Sequence, residues 1–307
     1  MHSSQKLFTM NRAAVASVLL LAFVFLSQST ISAQQKDKNV SQTTGALTRT
    51  TTRHEARRFG YGSSLTIIGA PAGSITIEAW QKSEVDITAD IELHADTDAD
   101  LALLATINNF TLDEDANHLR ILTTGTHDKI FMRRVAKKFP KTLLNLPWKI
   151  DYHIRVPANC DLEINAGRGA INLSGVEGSI QLKALESDAT LSLTGGAVSA
   201  TIGSGSVKIN LPVTSWRGAG ALVELARGDL TVELPAGFNA DINANVLRSG
   251  QIENSFPTLV PQERTTFTPQ SIRGRAGAGG ATLTFRVTDG TLRIKKRATG
   301  DEGRILR

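Results

Sequence analysis

A nine-residue beat runs through the middle of the chain and limits what it can fold into. From Gly169 the sequence divides into GAINLSGVE, GSIQLKALE, SDATLSLTG, GAVSATIGS and GSVKINLPV, units that begin at Gly169, Gly178, Ser187, Gly196 and Gly205. The third and fifth positions of each unit are apolar: Ile171 and Leu173, Ile180 and Leu182, Ala189 and Leu191, Val198 and Ala200, Val207 and Ile209. Between them stand Asn172, Gln181, Thr190, Ser199 and Lys208. Alternation with period two marks a strand with one buried face. A small residue at each unit's start, usually glycine, marks a tight turn. Strand-plus-turn units repeated in register predict an all-β chain, a single-stranded β-solenoid or β-helix-like stack with each turn on the last. Two units per turn would place adjacent turns about 4.8 Å apart around one shared interior.

Outside the beat, residues 1–33 read as a secretory signal. Lys6 and Arg12 form a positive start, Ala13–Leu26 is an uncharged apolar run, and Ile31-Ser32-Ala33 offers a cleavage site. That run is short for a bilayer span of about 20 residues, and no cysteine follows it to carry a lipid. Residues 34–57 are polar and Thr-rich and read as a flexible leader. A domain over 58–297 follows, and a polar tail over 298–307 ends the chain. The expected locale is therefore periplasmic, cell-surface or extracellular.

Alternation also predicts strands at 64–67, 74–80, 85–93, 117–125, 148–157, 281–287 and 290–294. Two stretches break the pattern. At 96–110, Asp96, Asp98 and Asp100 precede Leu101, Leu104 and Ala105 at helical spacing, which predicts a short helix over 97–109 with acids at its capped start. A calcium loop would need Gly and Glu where Leu101 and Ile107 stand. At 126–147, Lys129, Arg133, Arg134, Lys137, Lys138 and Lys141 face only Asp128 and are interleaved with Ile130, Phe131, Val135, Phe139, Leu143 and Leu144. Such an insertion is either a solvated loop or short helix covering one end of the coil, or a basic amphipathic contact for an anionic surface. It supplies the chain's candidate partner-binding residues. Residues 254–278, with three prolines, read as a long surface loop.

The stretches Ser74-Ile75-Thr76-Ile77-Glu78-Ala79-Trp80 and Tyr152-His153-Ile154-Arg155-Val156-Pro157, the Gly-Ser-Ile and Gly-Ser-Val repeats, Leu234-Pro235-Ala236, and the closing Gly280-Ala281-Thr282-Leu283 and Asp289-Gly290-Thr291-Leu292-Arg293-Ile294 resemble the bacterial putative-adhesin domain of unknown function. The resemblance covers roughly 60–295. It implies an exported β-solenoid-like fold at the cell envelope and brings no catalytic residues.

The residues themselves offer no catalytic motif. There is no G-x-S-x-G elbow, P-loop or H-E-x-x-H. The Gly-rich stretches 203–206 and 277–280 lead into strands, without the helix start that holds a phosphate. Cys160 stands alone, which excludes an internal disulfide and a cysteine-rich metal site and reads as a buried thiol. The histidines are not at ligand spacing, although His94 and His118 could meet across strands. The row Asn172, Gln181, Thr190, Ser199, Lys208 holds no carboxylate pair for glycosidic chemistry, with Glu163 and Glu177 outside it. The net charge is +5, and without the signal 32 basic residues stand against 29 acidic ones, too balanced to imply nucleic acid. The expectation is a non-catalytic envelope protein without cofactor or metal, whose partner is an envelope protein, a glycan or an anionic lipid surface. Homo-oligomers through sheet edges are a further expectation. The alternatives are a structural or stress-linked scaffold and a polysaccharide-active solenoid enzyme.

Overall fold

In a computed structural model, residues 47–135 and 139–298 are described. The signal and the polar tail fall outside them, as does the first part of the leader. The strands are β1 (Leu47–Arg58), β2 (Ser64–Ile68), β3 (Ile75–Trp80) and β4 (Glu84–Ala95), then helix α1 (Asp98–Ala105), β5 (Asn109–Glu114) and β6 (His118–Thr124). Helix α2 (Lys129–Val135) and a 3-10 turn (Lys141–Leu143) precede β7 (Trp148–Pro157), β8 (Asp161–Arg168), β9 (Ile171–Ser174), β10 (Ser179–Glu186) and β11 (Ala189–Ser192). The long strands β12 (Gly195–Asn210), β13 (Arg217–Leu234) and β14 (Ala240–Asn254) come next, then β15 (Leu259–Pro261), β16 (Ser271–Ala276) and β17 (Thr282–Lys296). All 17 strands join one curled, open sheet.

The beat folds as two-armed rungs. The β8 and β9 arms lie parallel to the β10 and β11 arms, and these to the two halves of β12. Leu162 pairs Ile180, which pairs Val198; on the other arm Ile171 pairs Ala189, which pairs Val207. Partners are thus 18 residues apart, twice the beat. The ladder extends through β13, β17 and β14 on one side and through β2 and β3 on the other. Inward residues of both arms are buried in one core that includes Leu65, Ile77, Ile164, Ile209, Val223 and Phe285. Each such Ile or Leu contributes about 1.5–3 kcal/mol by leaving water.

The bend between the arms explains the glycines that open alternate units. Gly228 has φ +128°, and a Cβ there would lie 1.9 Å from the Gly205 carbonyl oxygen of the rung below. Gly205 repeats this against the Ser187 carbonyl oxygen at 2.1 Å. Where serine takes the place, its hydroxyl is buried and donates to the Gly169 carbonyl at 2.6 Å.

The stacking order corrects the expectation that each turn lies on the last. That order holds for β8 to β13, but β17 then sits between β13 and β14. β14 and β17 carry the same alternation and a glycine at the same bend, Gly250 against Gly290. Period and glycine spacing fix which rungs share a register, not their sequence in the stack.

Both ends of the ladder become antiparallel. At the first, β7 pairs β4 and β4 pairs β1. The leader is therefore not loose over its second half: residues 47–58 form β1. Its core-side row is Arg49, Thr51, Arg53, Glu55 and Arg57, opposite Leu93, Ile91, Ala89, Ile87 and Val85, so no apolar alternation announced it. Arg53 bridges to β5, donating to the Phe110 carbonyl at 2.7 Å and lying 4.2 Å over the Phe110 ring. Inward charges on an edge strand discourage further pairing. Helix α1 covers this end with buried Leu101 and Leu104. The Thr97 hydroxyl caps it by accepting from the Asp100 N–H at 3.1 Å, which accounts for the acidic start without calcium.

At the other end, the long loop expected over 254–278 is partly strand. β16 pairs antiparallel with β14 and with the three-residue β15, and buries Ile272 and Ala276. Three prolines within 25 residues hid the six-residue run.

Candidate functional surfaces

The basic insertion is pinned at both ends and charged at its crest. Leu143 is buried, and Phe139, Leu146 and Trp148 pack against the core. Trp148 donates from Nε1 to the Thr126 hydroxyl at 3.0 Å, and the Thr126 N–H donates to Asn108 Oδ1 at 2.9 Å. Asp128 opens α2, its carboxylate accepting from the N–H groups of Ile130 at 2.8 Å and Phe131 at 3.0 Å. Those bonds, the Phe131 one foremost, hold its carboxyl below the ordinary range. The one acid of the stretch is thus a helix cap rather than a counter-charge.

Lys129 begins α2, and Arg133 and Arg134 occupy its last turn, where cations favour the exposed carbonyls. All three are exposed, as is Lys141 on the 3-10 turn. Ile130 stands beside them, 58% exposed. Lys137 and Lys138 lie outside the described residues.

The outward rows of the ladder form two faces, not one. Asn172, Thr190 and Lys208 align on the second arm, whereas Gln181 and Ser199 align on the first. Glu163 joins the latter row opposite Gln181, which corrects its expected place outside. The row of five split because successive beats belong to different arms.

Carboxylates on these faces have structural partners. Asp161 Oδ1 accepts from the Ser179 N–H at 2.7 Å, Asp188 Oδ1 from the Ser206 N–H at 2.9 Å, and Asp151 Oδ1 from the Ser74 N–H at 2.7 Å. Each acid therefore secures the start of an arm on a neighbouring rung. Glu233 lies between Lys208 at 3.3 Å and Lys295 at 3.2 Å. Arg293 joins Asp229 at 3.0 Å to Glu253 at 2.9 Å across three rungs. Glu163 accepts from the Thr66 hydroxyl at 3.4 Å, which also meets His118 Nε2 at 2.8 Å.

Histidines near the first edge are likewise paired. His54 meets Asp86 at 3.0 Å, and Arg155 approaches the other oxygen at 3.2 Å. Burial would raise the Asp86 carboxyl, but these two hydrogen bonds outweigh it and hold it low. His94 contacts Thr48 at 3.0 Å and Glu92 at 2.9 Å. His94 and His118 thus have separate partners and do not meet. Among the described residues, no group of three His, Cys, Asp or Glu is placed to hold a metal ion. Cys160 is buried, and desolvation pushes its thiol up to about 12.

No family model matches the chain, and no curated protein does. Solved structures resemble it weakly. A putative cell adhesion protein from Clostridium sporogenes is 12% identical, with a TM-score of 0.39 over 80% of this chain and 100% of that one. A putative adhesin from Bacteroides fragilis is 12% identical, with a TM-score of 0.32 over 80% and 97%. One from Parabacteroides merdae is 9% identical, with a TM-score of 0.25 over 79% and 95%. Likenesses at these scores decide neither family nor function.

Proposed function

We propose that this chain is an exported, non-catalytic envelope protein of adhesin-like type, a β-solenoid with an inserted final rung that presents its polar faces to a partner. The observation that carries this reading is the use made of the outward carboxylates. They cap neighbouring rungs or lie in ion pairs, so the faces are rigid and polar. The apolar run before Ser32-Ala33 supports export. Among the described residues no helix is long and apolar enough to cross a membrane.

The test is to express the full chain with a C-terminal tag, fractionate the cells and sequence the amino terminus. The reading expects an envelope or medium fraction beginning at Gln34. An intact amino terminus in the cytoplasm would refute export. Turnover of any glycan in a polysaccharide panel would refute the non-catalytic part.

A second reading concerns α2. An exposed Ile130 among Lys129, Arg133 and Arg134 is the arrangement that inserts an apolar side chain between anionic headgroups while cations hold their charge. Its prediction is salt-sensitive binding to anionic vesicles.

A further inference from the structure

The second bend, with its own stacked glycines Gly178, Gly196 and Gly218, gathers the segments that carry one rung to the next. Along it the Asp161 N–H donates to the Ser63 carbonyl, the Glu177 N–H to the Ala158 carbonyl at 2.7 Å, and the Ala197 N–H to the Gly178 carbonyl at 2.9 Å. These main-chain groups thus tie each rung to the next.

Tyr61 stands at the tip of this edge between Gly60 and Gly62. It is 95% exposed and has no hydrogen bond, ring contact or ion pair among the described residues. The chain's other tyrosine, Tyr152, is buried with its hydroxyl 2.7 Å from that of Thr123. Every other Phe, Trp and Tyr among the described residues is buried or half-buried, so the exposed Tyr61 ring is an exception among the aromatic side chains.

The ring borders two adjoining depressions. One, of about 310 Å³, is lined by Asn159, Asp161, Glu177 and Arg217. The other, of about 170 Å³, reaches Trp80 and Lys82. Trp80 already holds two cations, with Lys82 Nζ at 4.6 Å and Arg155 Cζ at 4.4 Å from the ring centre. The free aromatic face here belongs to Tyr61.

The polar groups beside it are half-used. Asp161 Oδ1 accepts from a main-chain N–H, and its second oxygen has no partner. Glu177 Oε1 pairs with Arg217 Nη2 at 2.7 Å, leaving Oε2 and most of the guanidinium hydrogens. The Asn159 amide makes no side-chain hydrogen bond. An open ring face beside paired donors and acceptors suits a ligand with an apolar C–H face and adjacent hydroxyls. Phosphate and sulfate ligands are disfavoured by two carboxylates against one guanidinium.

We propose that this edge binds a saccharide. The Tyr61 ring stacks on a pyranose face, and Asn159, Asp161, Glu177 and Arg217 hydrogen-bond neighbouring hydroxyls. This deepens the surface-protein reading by naming its partner class. Its test uses purified chain, so a failure of export leaves it intact, and an exported chain that binds no glycan contradicts this site alone.

The purified chain is run through affinity gels containing soluble chitin, xylan, cellulose or mannan derivatives, and is pelleted with peptidoglycan sacculi. Retention by at least one matrix is expected. Tyr61→Ala should weaken it about tenfold or more, Tyr61→Phe should keep it within about threefold, and Glu177→Gln should fall between. All three should melt like the parent, since Tyr61 touches nothing and the Glu177 pair is exposed. Retention by no matrix would overturn the proposal. So would a Tyr61→Ala chain retained like the parent.

Discussion

The ladder over 161–234 and the insertion over 126–147 lie in one chain and obey different rules. In the ladder the interior and the bends are placed by the next rung: an apolar residue over an apolar one, a glycine over a carbonyl, an acid over an N–H. In the insertion only the two ends are placed, at Thr126 and Asp128 on one side and Phe139, Leu143 and Leu146 on the other, and the charged crest answers to solvent. The ladder's interior and bends are therefore intolerant. The insertion and the turn at Tyr61 are tolerant, which leaves them available for a ligand.

Substitutions can break that contrast. The largest effect belongs to the ladder's interior. Ile180→Asp or Leu191→Asp buries an unpaired carboxylate and should cost more than about 4 kcal/mol, abolishing the cooperative melt followed by circular dichroism. A melt unchanged in either variant would remove those residues from the core.

Next comes the bend. Gly228→Ala meets both a positive φ and a carbonyl at 1.9 Å, and should cost about 3 kcal/mol in urea unfolding. Gly237→Ala has φ +71° but open space around its Cβ, and should cost only about 1 kcal/mol. Equal costs would mean that rung contact at the bend is not what selects glycine.

Acid should act through the rung-to-rung ion pairs. The hydrogen bond from Arg248, and then that from Ser249, hold Asp289 down at about 2. Its folded value lies below the unfolded value of about 3.9, so its contribution is complete above about pH 4 and lost as pH falls toward 2. Asp229, hydrogen-bonded by Arg293, and Asp241, by Arg275, are shifted in the same direction. Urea midpoints should therefore fall across that window, and Asp289→Asn should flatten the fall.

The smallest stability effect belongs to the insertion. Arg133→Gln with Arg134→Gln should move stability by less than about 0.5 kcal/mol while reducing retention on anionic vesicles at low salt. A large loss of stability would make α2 part of the ladder's support. Retention unchanged by salt or by these substitutions would leave it a solvated crest.

What was legible in the sequence follows the same division. Period-two alternation with recurrent glycine located the rungs, and β7 spans the same residues, 148–157, that the alternation marked. The capped acidic start of α1 was readable because capping is local, but the helix ends at Ala105, short of the expected 109. Strands β1 and β5 were not: β1 turns arginines toward the core, and Asn109–Glu114 is too mixed to show alternation. Nor was the place of β17, because identical patterns do not encode order. The edge at Tyr61 is not encoded locally either. Tyr61, Asn159, Glu177 and Arg217 are brought together only by the stacking of rungs, and none belongs to a motif.

The 18-residue, two-armed register is the central claim, and paired cysteines test it most directly. Thr190→Cys with Lys208→Cys places the two on facing positions of adjacent rungs, at strand spacing of about 4.8 Å. Gln181→Cys with Thr190→Cys places them nine residues apart on different arms. Under mild oxidation in a Cys160→Ala background, the first pair should form an intramolecular disulfide quickly in the folded chain and the second should not. Rapid closure of the nine-residue pair, with the 18-residue pair left open, would contradict the two-armed rung.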